Sequence, residues 1–136
     1  MRYLTPEQVL FIHARLIAET GGEHGVRDLG LLQSAIARPQ AVFDGQELYP
    51  EIHHKAAALL ESLVNNHPFI DGNKRTGLTA AAMFLKINEY FLTASNQEVE
   101  SFVLSVASGE QTFVSILAWF KQHSMTTPGK PKEPID

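Results

Sequence analysis

The chain has 136 residues, of which 44% are hydrophobic, and it contains no cysteine. This length and apolar content suit a single domain with its own core, and the lack of cysteine excludes disulfides, thiolate metal sites and a cysteine nucleophile. The formal net charge of −4 argues against a general nucleic-acid or membrane-surface binder, and no apolar run is long enough to span a bilayer. We therefore expect a cytoplasmic protein.

Capping residues delimit the first two predicted helices. The run Thr5-Pro6-Glu7-Gln8 is a capping box with proline at the first helical position, and Gly21-Gly22 ends the helix that follows. Asp28 begins a second helix, which Pro39 ends. His13 falls beside apolar residues of the first helix, so we predict that it packs there with one hydrogen bond.

Residues 41–49 interrupt the helical pattern. Asp44-Gly45 lies there between apolar and aromatic residues, which is the sequence signal of a two-residue hairpin turn. We therefore predict a short β-hairpin between the second and third helices.

The third predicted helix, from about Pro50 to Asn66, leads directly to the most polar loop of the chain. Its apolar residues recur at helical spacing, which leaves Lys55 and Glu61 toward water. Pro68 takes the preceding residue out of the helical region and so ends the helix. The next helix, from about Asn73 to Leu85, is apolar nearly all round, so we expect it to run through the centre of the bundle.

Two more helices and a tail complete the predicted architecture. Ser95 and Glu98 form a capping box that opens one helix, and the last helix runs from about Gln111 to His123. The end of the chain combines prolines with charged residues, so we predict a flexible tail there. The expected fold is all-α, a helical bundle with a buried central helix in one domain over residues 1–124, followed by a tail over residues 125–136.

Ten residues between the third and fourth helices, HPFIDGNKRT from His67 to Thr76, carry the most chemistry in the chain. They combine a base, a carboxylate, a carboxamide and two cations at the start of a helix, where free N–H groups and the helix dipole hold an anion. His67 carries an imidazole, the side chain most often used as a general base, and is the candidate base for an attacking hydroxyl. Asp71 offers a hard oxygen ligand for Mg²⁺, completed by substrate phosphates and water. These are the parts of a phosphate-transfer site.

The remaining motif residues bind phosphate or shape the loop. Lys74 and Arg75 can neutralise charge on phosphoryl oxygens, and Asn73 can either fix the loop or help to place metal and phosphate. Gly72 allows a tight turn, and Phe69 is expected to face inward as a loop anchor.

A purely structural interpretation of this loop also exists. Asp71 or Asn73 would then cap the next helix, and Lys74 and Arg75 would form a solvated first turn. Cations at a helix N-terminus oppose the helix dipole, so they are poorly placed unless an anion binds. The charge pattern therefore favours a ligand site.

The motif from His67 to Thr76 resembles the signature of the Fic/Doc family, and specifically of its Doc (death-on-curing) branch. The upstream run GVRDLGLLQSAIARP, from Gly25 to Pro39, resembles the same branch, and the resemblance extends over roughly residues 1–124. It implies an all-helical domain whose loop between two core helices binds a nucleoside triphosphate and modifies a hydroxyl on another protein.

The residues at two positions distinguish the family branches by the chemical group that they transfer. Typical Fic proteins transfer AMP, and they have a glycine after the motif asparagine and a second arginine three residues after the first. Lys74 and Leu78 stand at these positions here. Doc-like toxins share the lysine, so the resemblance implies transfer of the γ-phosphoryl group of ATP to a threonine of elongation factor Tu, which stops translation. The alternatives are a Fic-type transferase of AMP or another nucleotide, and a non-catalytic antitoxin-binding module.

The resemblance also implies a role for each motif residue. His67 is the base on the target hydroxyl, and Asp71 is the Mg²⁺ ligand. The residues that bind the phosphates of ATP are Gly72, Asn73, Lys74 and Arg75.

A flap is implied as well. In relatives, a flap in the region of the predicted hairpin aligns the target segment by strand-like pairing. The implied flap residues in this chain are Phe43, Asp44, Gly45 and Gln46.

The sequence lacks the inhibitory-helix pattern by which some relatives regulate themselves. Some Fic proteins silence themselves through a helix with the pattern Ser/Thr-x-x-x-Glu-Gly/Asn, and no glutamate of this chain precedes glycine or asparagine. The resemblance therefore implies a separate small antitoxin, whose disordered C-terminal segment folds into a groove on this protein. We expect no membrane partner and no direct nucleic-acid partner.

Overall fold

The computed structural model describes residues 1–128. Within them the chain forms a bundle of six α-helices and two short antiparallel strand pairs, which confirms the predicted mainly helical class. The helices are α1 (Pro6–Thr20), α2 (Leu29–Ala37), α3 (Ile52–Asn65), α4 (Asn73–Ile87), α5 (Asn96–Ala107) and α6 (Phe113–Gln122). The strands are β1 (Val42–Phe43), β2 (Gln46–Glu47), β3 (Tyr90–Leu92) and β4 (Ser124–Thr126), and a 3-10 turn (Arg38–Gln40) follows α2.

Capping side chains begin three of the helices where the sequence indicated. Thr5 and Gln8 each bond the other's main chain at the start of α1, and Ser95 and Glu98 do the same for α5. The carboxylate of Asp28 accepts from a main-chain N–H in the first turn of α2. These bonds satisfy N–H groups that have no partner inside a helix, which is why the predicted starts are close to the observed ones.

The bundle has a buried central helix, as predicted, but that helix is α3 and not α4. Ten of the fourteen residues of α3 are buried, against six of the fifteen in α4. α3 packs against α2, α4, α5 and α6, whereas part of the apolar surface of α4, including Met83, stays exposed. The apolar face of α4 is therefore wider than the surface that its neighbours cover.

Lys55 lies inside the protein, and the prediction that it faces water was wrong. Its side chain is only 1% exposed. The ammonium group donates to the carbonyl of Pro39 at 2.9 Å and to the carboxylate of Glu47 at 2.8 Å. Burial disfavours the charge, but the hydrogen bonds with Glu47 and Tyr3 outweigh it and raise the pKa of Lys55. The 3-10 turn and the hairpin cover this side of α3, which a helical pattern alone does not reveal.

The predicted β-hairpin is present. β1 and β2 pair with Val42 opposite Glu47 and Phe43 opposite Gln46. The turn residues Asp44 and Gly45 have φ values of 52° and 74°, and a type I′ turn requires two such left-handed residues. The four strand residues are exposed to solvent.

The folded part of the chain continues past the predicted domain boundary. β4 pairs with β3 through Thr126, and the N–H of Thr127 donates to the carbonyl of Glu89 at 2.8 Å. The boundary predicted at residue 124 therefore falls inside β4, because the exposed edge of β3 offers main-chain groups for the following chain to pair with. Residues 129–136 of the predicted tail lie outside the described residues.

No helix within residues 1–128 combines the length and the hydrophobicity that are needed to cross a bilayer.

Candidate functional site

Two loops lie side by side to form the site. The motif loop (residues 66–72) joins α3 to α4, and the strap (residues 21–28) joins α1 to α2. The N–H of Ile70 donates to the carbonyl of Gly25 at 3.1 Å, and the carbonyl of Pro68 accepts from the N–H groups of Arg27 and Asp28 at 2.7 and 3.0 Å. The two loops therefore run against each other as a pair of short, hydrogen-bonded segments, which fixes the motif loop on one side.

His67 stands at the end of α3 in an uncommon backbone conformation. Its φ is 49°, in the left-handed region, and Pro68 disfavours the right-handed helical region for the residue before it. Arg27 holds this conformation from the strap: Nε donates to the carbonyl of His67 at 2.6 Å, and Nη2 donates to the carbonyl of Asn66 at 2.8 Å. The imidazole is exposed and has no hydrogen-bond partner within residues 1–128, so it is free to accept a proton from a substrate.

The carboxylate of Asp71 is oriented by main-chain donors. Oδ2 accepts from the N–H of Glu23 at 3.1 Å, and Oδ1 accepts from the N–H of Gly72 at 2.8 Å. These two hydrogen bonds, that from Glu23 first, lower the pKa of Asp71, so the group is ionised at neutral pH. Each oxygen keeps a further lone pair, which leaves Asp71 able to ligate a cation.

A magnesium ion would find one protein ligand here. Within residues 1–128 no cluster of three or more His, Cys, Asp or Glu side chains could hold a metal ion. A single carboxylate completed by phosphate oxygens and water suits Mg²⁺, which keeps much of its hydration shell. Asp71 therefore fits a metal that arrives with a nucleotide better than a permanently bound ion.

Phe69 and Asn73 fix the shape of the motif loop. Asn73 Oδ1 accepts from the N–H of Phe69 at 2.9 Å, and its Nδ2 donates to the carbonyl of Phe69 at 2.9 Å. The Phe69 ring is buried and stacks on His13, with 3.8 Å between the ring centroids and 5° between the planes. These two hydrogen bonds fix the loop, which is one of the two roles predicted for the Asn73 side chain. Its role in placing metal and phosphate stays a prediction.

His13 packs as the sequence indicated. It is buried, and its Nε2 donates its one hydrogen bond to the carbonyl of Asp71 at 2.8 Å. The histidine thus contacts the motif loop at both Phe69 and Asp71.

The first turn of α4 presents unpaired donors and positive charge. Gly72 is the residue before the helix, at φ 78°, and has no side chain to cap it. The first helical hydrogen bond comes from Thr76, and the main-chain N–H groups of Asn73, Lys74 and Arg75 have no partner within residues 1–128. Three free N–H groups at the positive end of a helix dipole form an anion site, and Lys74 adds an exposed cation.

Arg75 reaches toward the C-terminus of α1. Its guanidinium donates to Oγ1 of Thr20 and, at 3.4 Å, to the carbonyl of Gly21. Its positive charge also contributes to the lowered pKa of Asp71. Arg75 therefore connects α4 to the end of α1 and acts electrostatically on the candidate metal ligand.

A single cavity brings together the motif residues predicted to act on phosphate. Its volume is about 330 Å³. The residues that line it are His67, Ile70, Asp71, Gly72, Asn73, Lys74 and Arg75. The hairpin residues predicted as a flap, Phe43 to Gln46, do not line this cavity. An apolar groove of about 340 Å³ between α4 and α5 adjoins it and shares Lys74 and Arg75.

Sequence reasoning missed the contribution of the strap. It assigned no role to Arg27 and gave Gly22 only that of ending the first helix, although a Cβ on Gly22 would stand 2.6 Å from Oδ2 of Asp71. The available signal was the resemblance of the run from Gly25 to Pro39 to the same family branch, which marked the segment without saying what it contacts.

Comparisons with known proteins agree with this architecture. A family model described as the Fic/DOC family matches residues 3–85. "Toxin Doc" of Mycolicibacterium smegmatis is 57% identical over 74 residues, which cover 54% of this chain and 57% of that protein. "Protein kinase doc" of Escherichia phage P1 is 31% identical over 116 residues, which cover 85% of this chain and 90% of that protein. The match thus spans little more than half the length of the mycobacterial relative and nearly all of the phage one, and the chain belongs to the Doc branch of the Fic/DOC family.

Proposed function

We propose that this protein is a Doc-type toxin that transfers the γ-phosphoryl group of ATP to a hydroxyl of a translation factor and so arrests translation. The observation that carries the proposal is one cavity that contains a free imidazole, an ionised carboxylate and an uncapped, cationic helix N-terminus. The names of the two relatives, a toxin and a protein kinase, support the same choice.

The residues divide the reaction between them. His67 removes the proton from the attacking hydroxyl while the oxygen bonds to the γ-phosphorus. The bond from that phosphorus to the bridging oxygen of the β-phosphate breaks, and ADP leaves. The N–H groups at the start of α4 and the Lys74 ammonium hold the phosphoryl oxygens, since phosphoryl transfer depends mainly on positioning and on neutralising charge. A Mg²⁺ ion bound through Asp71 would neutralise further charge on the β- and γ-phosphates.

Lys74 supports phosphoryl transfer over nucleotide transfer. A glycine at this position would leave the main chain open on both sides, whereas the lysine adds a bulky cation at the second residue of α4. A point charge next to the free N–H groups suits the terminal phosphate of ATP. The adjoining apolar groove has room for the less polar nucleoside part.

The hairpin is suited to hold a protein target. Phe43 is 71% exposed on β1, and the two-residue strands offer main-chain groups along their outer edges. An extended segment of the target, for which we propose a threonine-containing segment of elongation factor Tu, pairs with such an edge by strand addition. The reaction would then take place in the cytoplasm.

An antitoxin is the proposed inhibitory partner. α1 and α4 form an exposed apolar groove of about 370 Å³, whose floor and walls include Leu4, Phe11, Ile12, Met83 and Ile87. A disordered segment that folds into an amphipathic helix would bury its apolar face there. The groove lies along the C-terminal half of α4, so the bound segment would contact the same helix whose first turn holds the phosphates.

Labelled ATP tests the proposal directly. Purified protein is incubated with Mg²⁺ and elongation factor Tu in a bacterial extract, with the label on the γ-phosphate in one reaction and on the α-phosphate in another. We expect label on the target from the γ-phosphate alone, and none with a folded His67→Ala variant. Label from the α-phosphate would identify a nucleotide transferase, and label from neither would favour a non-catalytic binding module.

A further inference from the structure

The strap makes contacts that go beyond joining α1 to α2. It reaches both chemical groups of the site, through the side chain of Arg27 at the His67 end and the N–H of Glu23 at the Asp71 end. Between these ends, Val26 forms a single antiparallel bridge with Phe69. The strap therefore contacts each residue of the motif loop from Asn66 to Asp71.

The guanidinium of Arg27 has the shape that this position needs. The carbonyls of Asn66 and His67 stand at the C-terminal end of α3, where helix carbonyls lack partners and the dipole is negative. A planar guanidinium donates to two acceptors at once, whereas a lysine ammonium acts as a point donor. Arg27 uses Nε for one carbonyl and Nη2 for the other.

The contacts of Arg27 affect the candidate base, His67. His67 occupies the left-handed region, which non-glycine residues rarely adopt, and in this conformation its imidazole lines the cavity. Nothing within residues 1–128 bonds the imidazole itself. The backbone contacts of His67 and Pro68 with the strap therefore set the direction in which the Cα–Cβ bond of His67 leaves the main chain.

We propose that Arg27 is a positioning residue of the transfer reaction: it holds the carbonyls of Asn66 and His67 so that the imidazole points into the phosphate cavity. The same short segment also orients Asp71, so the strap fixes the position of the base relative to the metal ligand. The inference rests on the proposed function for its kinetic readout alone.

Three variants test the role of Arg27. Arg27→Met removes both hydrogen bonds, and Arg27→Lys keeps the charge but has one nitrogen donor in place of the rigid fork of Nε and Nη2. Arg15→Met is the matched control, because Arg15 is an exposed arginine that pairs with Glu19 within α1. The measurements are kcat, the KM for ATP, the melting temperature and the amide exchange of the motif loop.

We expect Arg27→Met to lower kcat by about 10- to 100-fold, since a small displacement of a reacting group has effects of this size. The KM for ATP should stay within about two-fold, because the phosphate donors on α4 are untouched. Arg27→Lys should fall between Arg27→Met and the wild type, and Arg15→Met should match the wild type. A wild-type kcat in folded Arg27→Met would overturn the proposal. So would equal losses of kcat and ATP affinity.

Amide exchange separates this inference from the proposed function. If the wild-type protein transfers no phosphoryl group, the exchange rate of the Ile70 N–H still reports whether Arg27 holds the loop. Faster exchange in Arg27→Met than in Arg15→Met, with unchanged rates in α3 and α4, supports the role. Equal rates in the two variants contradict it. If Arg27→Met fails to fold, Arg27→Lys carries the same comparison, and a wild-type kcat and exchange rate in it would overturn the proposal.

Discussion

The ammonium group of Lys55 and the carboxylate of Glu47 are 2.8 Å apart, and this contact joins the buried centre of α3 to the second strand of the hairpin. Lys55 also donates to the carbonyl of Pro39, just before β1. The base of the hairpin is thus fixed from inside the protein, while its strands remain exposed. A fixed base keeps the strand edges ready to pair, which would limit the entropy lost on binding of the proposed target segment.

Lys55→Met should destabilise the fold by about 1–3 kcal/mol, because it leaves the carbonyl of Pro39 without its donor inside the protein. Glu47→Gln should cost less than about 1 kcal/mol, since Glu47 is half exposed and glutamine keeps an acceptor oxygen. Urea denaturation of both variants measures the difference. Equal losses would mean that the ion pair, and not the buried donor, holds the hairpin.

Gly22→Ala should impair the metal site, and Gly21→Ala should not. Both glycines have positive φ values, 114° and 87°, so either alanine loses roughly 1–2 kcal/mol of stability. A Cβ would meet Oδ2 of Asp71 only at position 22 and would find open space at position 21. We therefore expect the Mg²⁺ concentration for half-maximal transfer to rise about ten-fold or more in Gly22→Ala alone. The same Mg²⁺ dependence in both variants would rule out the contact.

Asn73→Ala should lose stability and activity together. It removes both hydrogen bonds to the main chain of Phe69 and leaves that buried main chain unsatisfied, at a cost of about 1–3 kcal/mol. Asn96→Ala, at an exposed position in the first turn of α5, is the control and should be near neutral. The melting temperature and kcat of each variant are the measurements. A stable but inactive Asn73→Ala would instead assign the amide to substrate binding.

The hydrogen bonds to Asp71 predict a specific pH dependence. They lower its pKa below the ordinary aspartate value of 3.8, so their contribution to stability is complete above that value and is lost as the pH falls through the lowered pKa. Asp71→Asn cannot titrate and should lack this component. Melting curves from pH 2 to pH 6 should therefore show a smaller acid-induced loss in Asp71→Asn than in the wild type. Parallel curves would contradict the assignment.

Phe11→Asp should separate toxicity from neutralisation. Phe11 is 63% exposed in the α1–α4 groove, so a charge there costs the fold little but repels an apolar helix face. Cells that express Phe11→Asp should stop growing even when the antitoxin is co-expressed. Val114→Asp, on the exposed side of α6, should remain neutralised. Neutralisation of Phe11→Asp would place the antitoxin elsewhere.

Local signals in the sequence were enough to predict several elements. The caps at Thr5, Asp28 and Ser95 and the Asp44-Gly45 turn act on their own neighbours, so each leaves a pattern a few residues long. The motif loop was predictable for the same reason, because its polar residues are close together in the sequence, and His67, Asp71 and the first turn of α4 line one cavity.

Contacts between distant segments were not predictable in this way. The helical pattern predicts Lys55 at the surface, because the pattern does not show that the hairpin covers it. It also predicts that α4 is more buried than α3, because periodicity shows which faces are apolar but not which neighbours cover them. Arg27 contacts a carbonyl 40 positions along the chain, and no spacing rule connects the two.

The pairing of strap and motif loop also bears on when the protein becomes active. Glu23 and Asp71 are 48 positions apart, so the contact forms only after a long loop has closed, and such non-local contacts tend to form late in folding. A partly folded chain can therefore contain the whole motif in sequence and still lack an oriented base and carboxylate. For the proposed toxin, this delay would leave time after synthesis in which the proposed antitoxin can bind first.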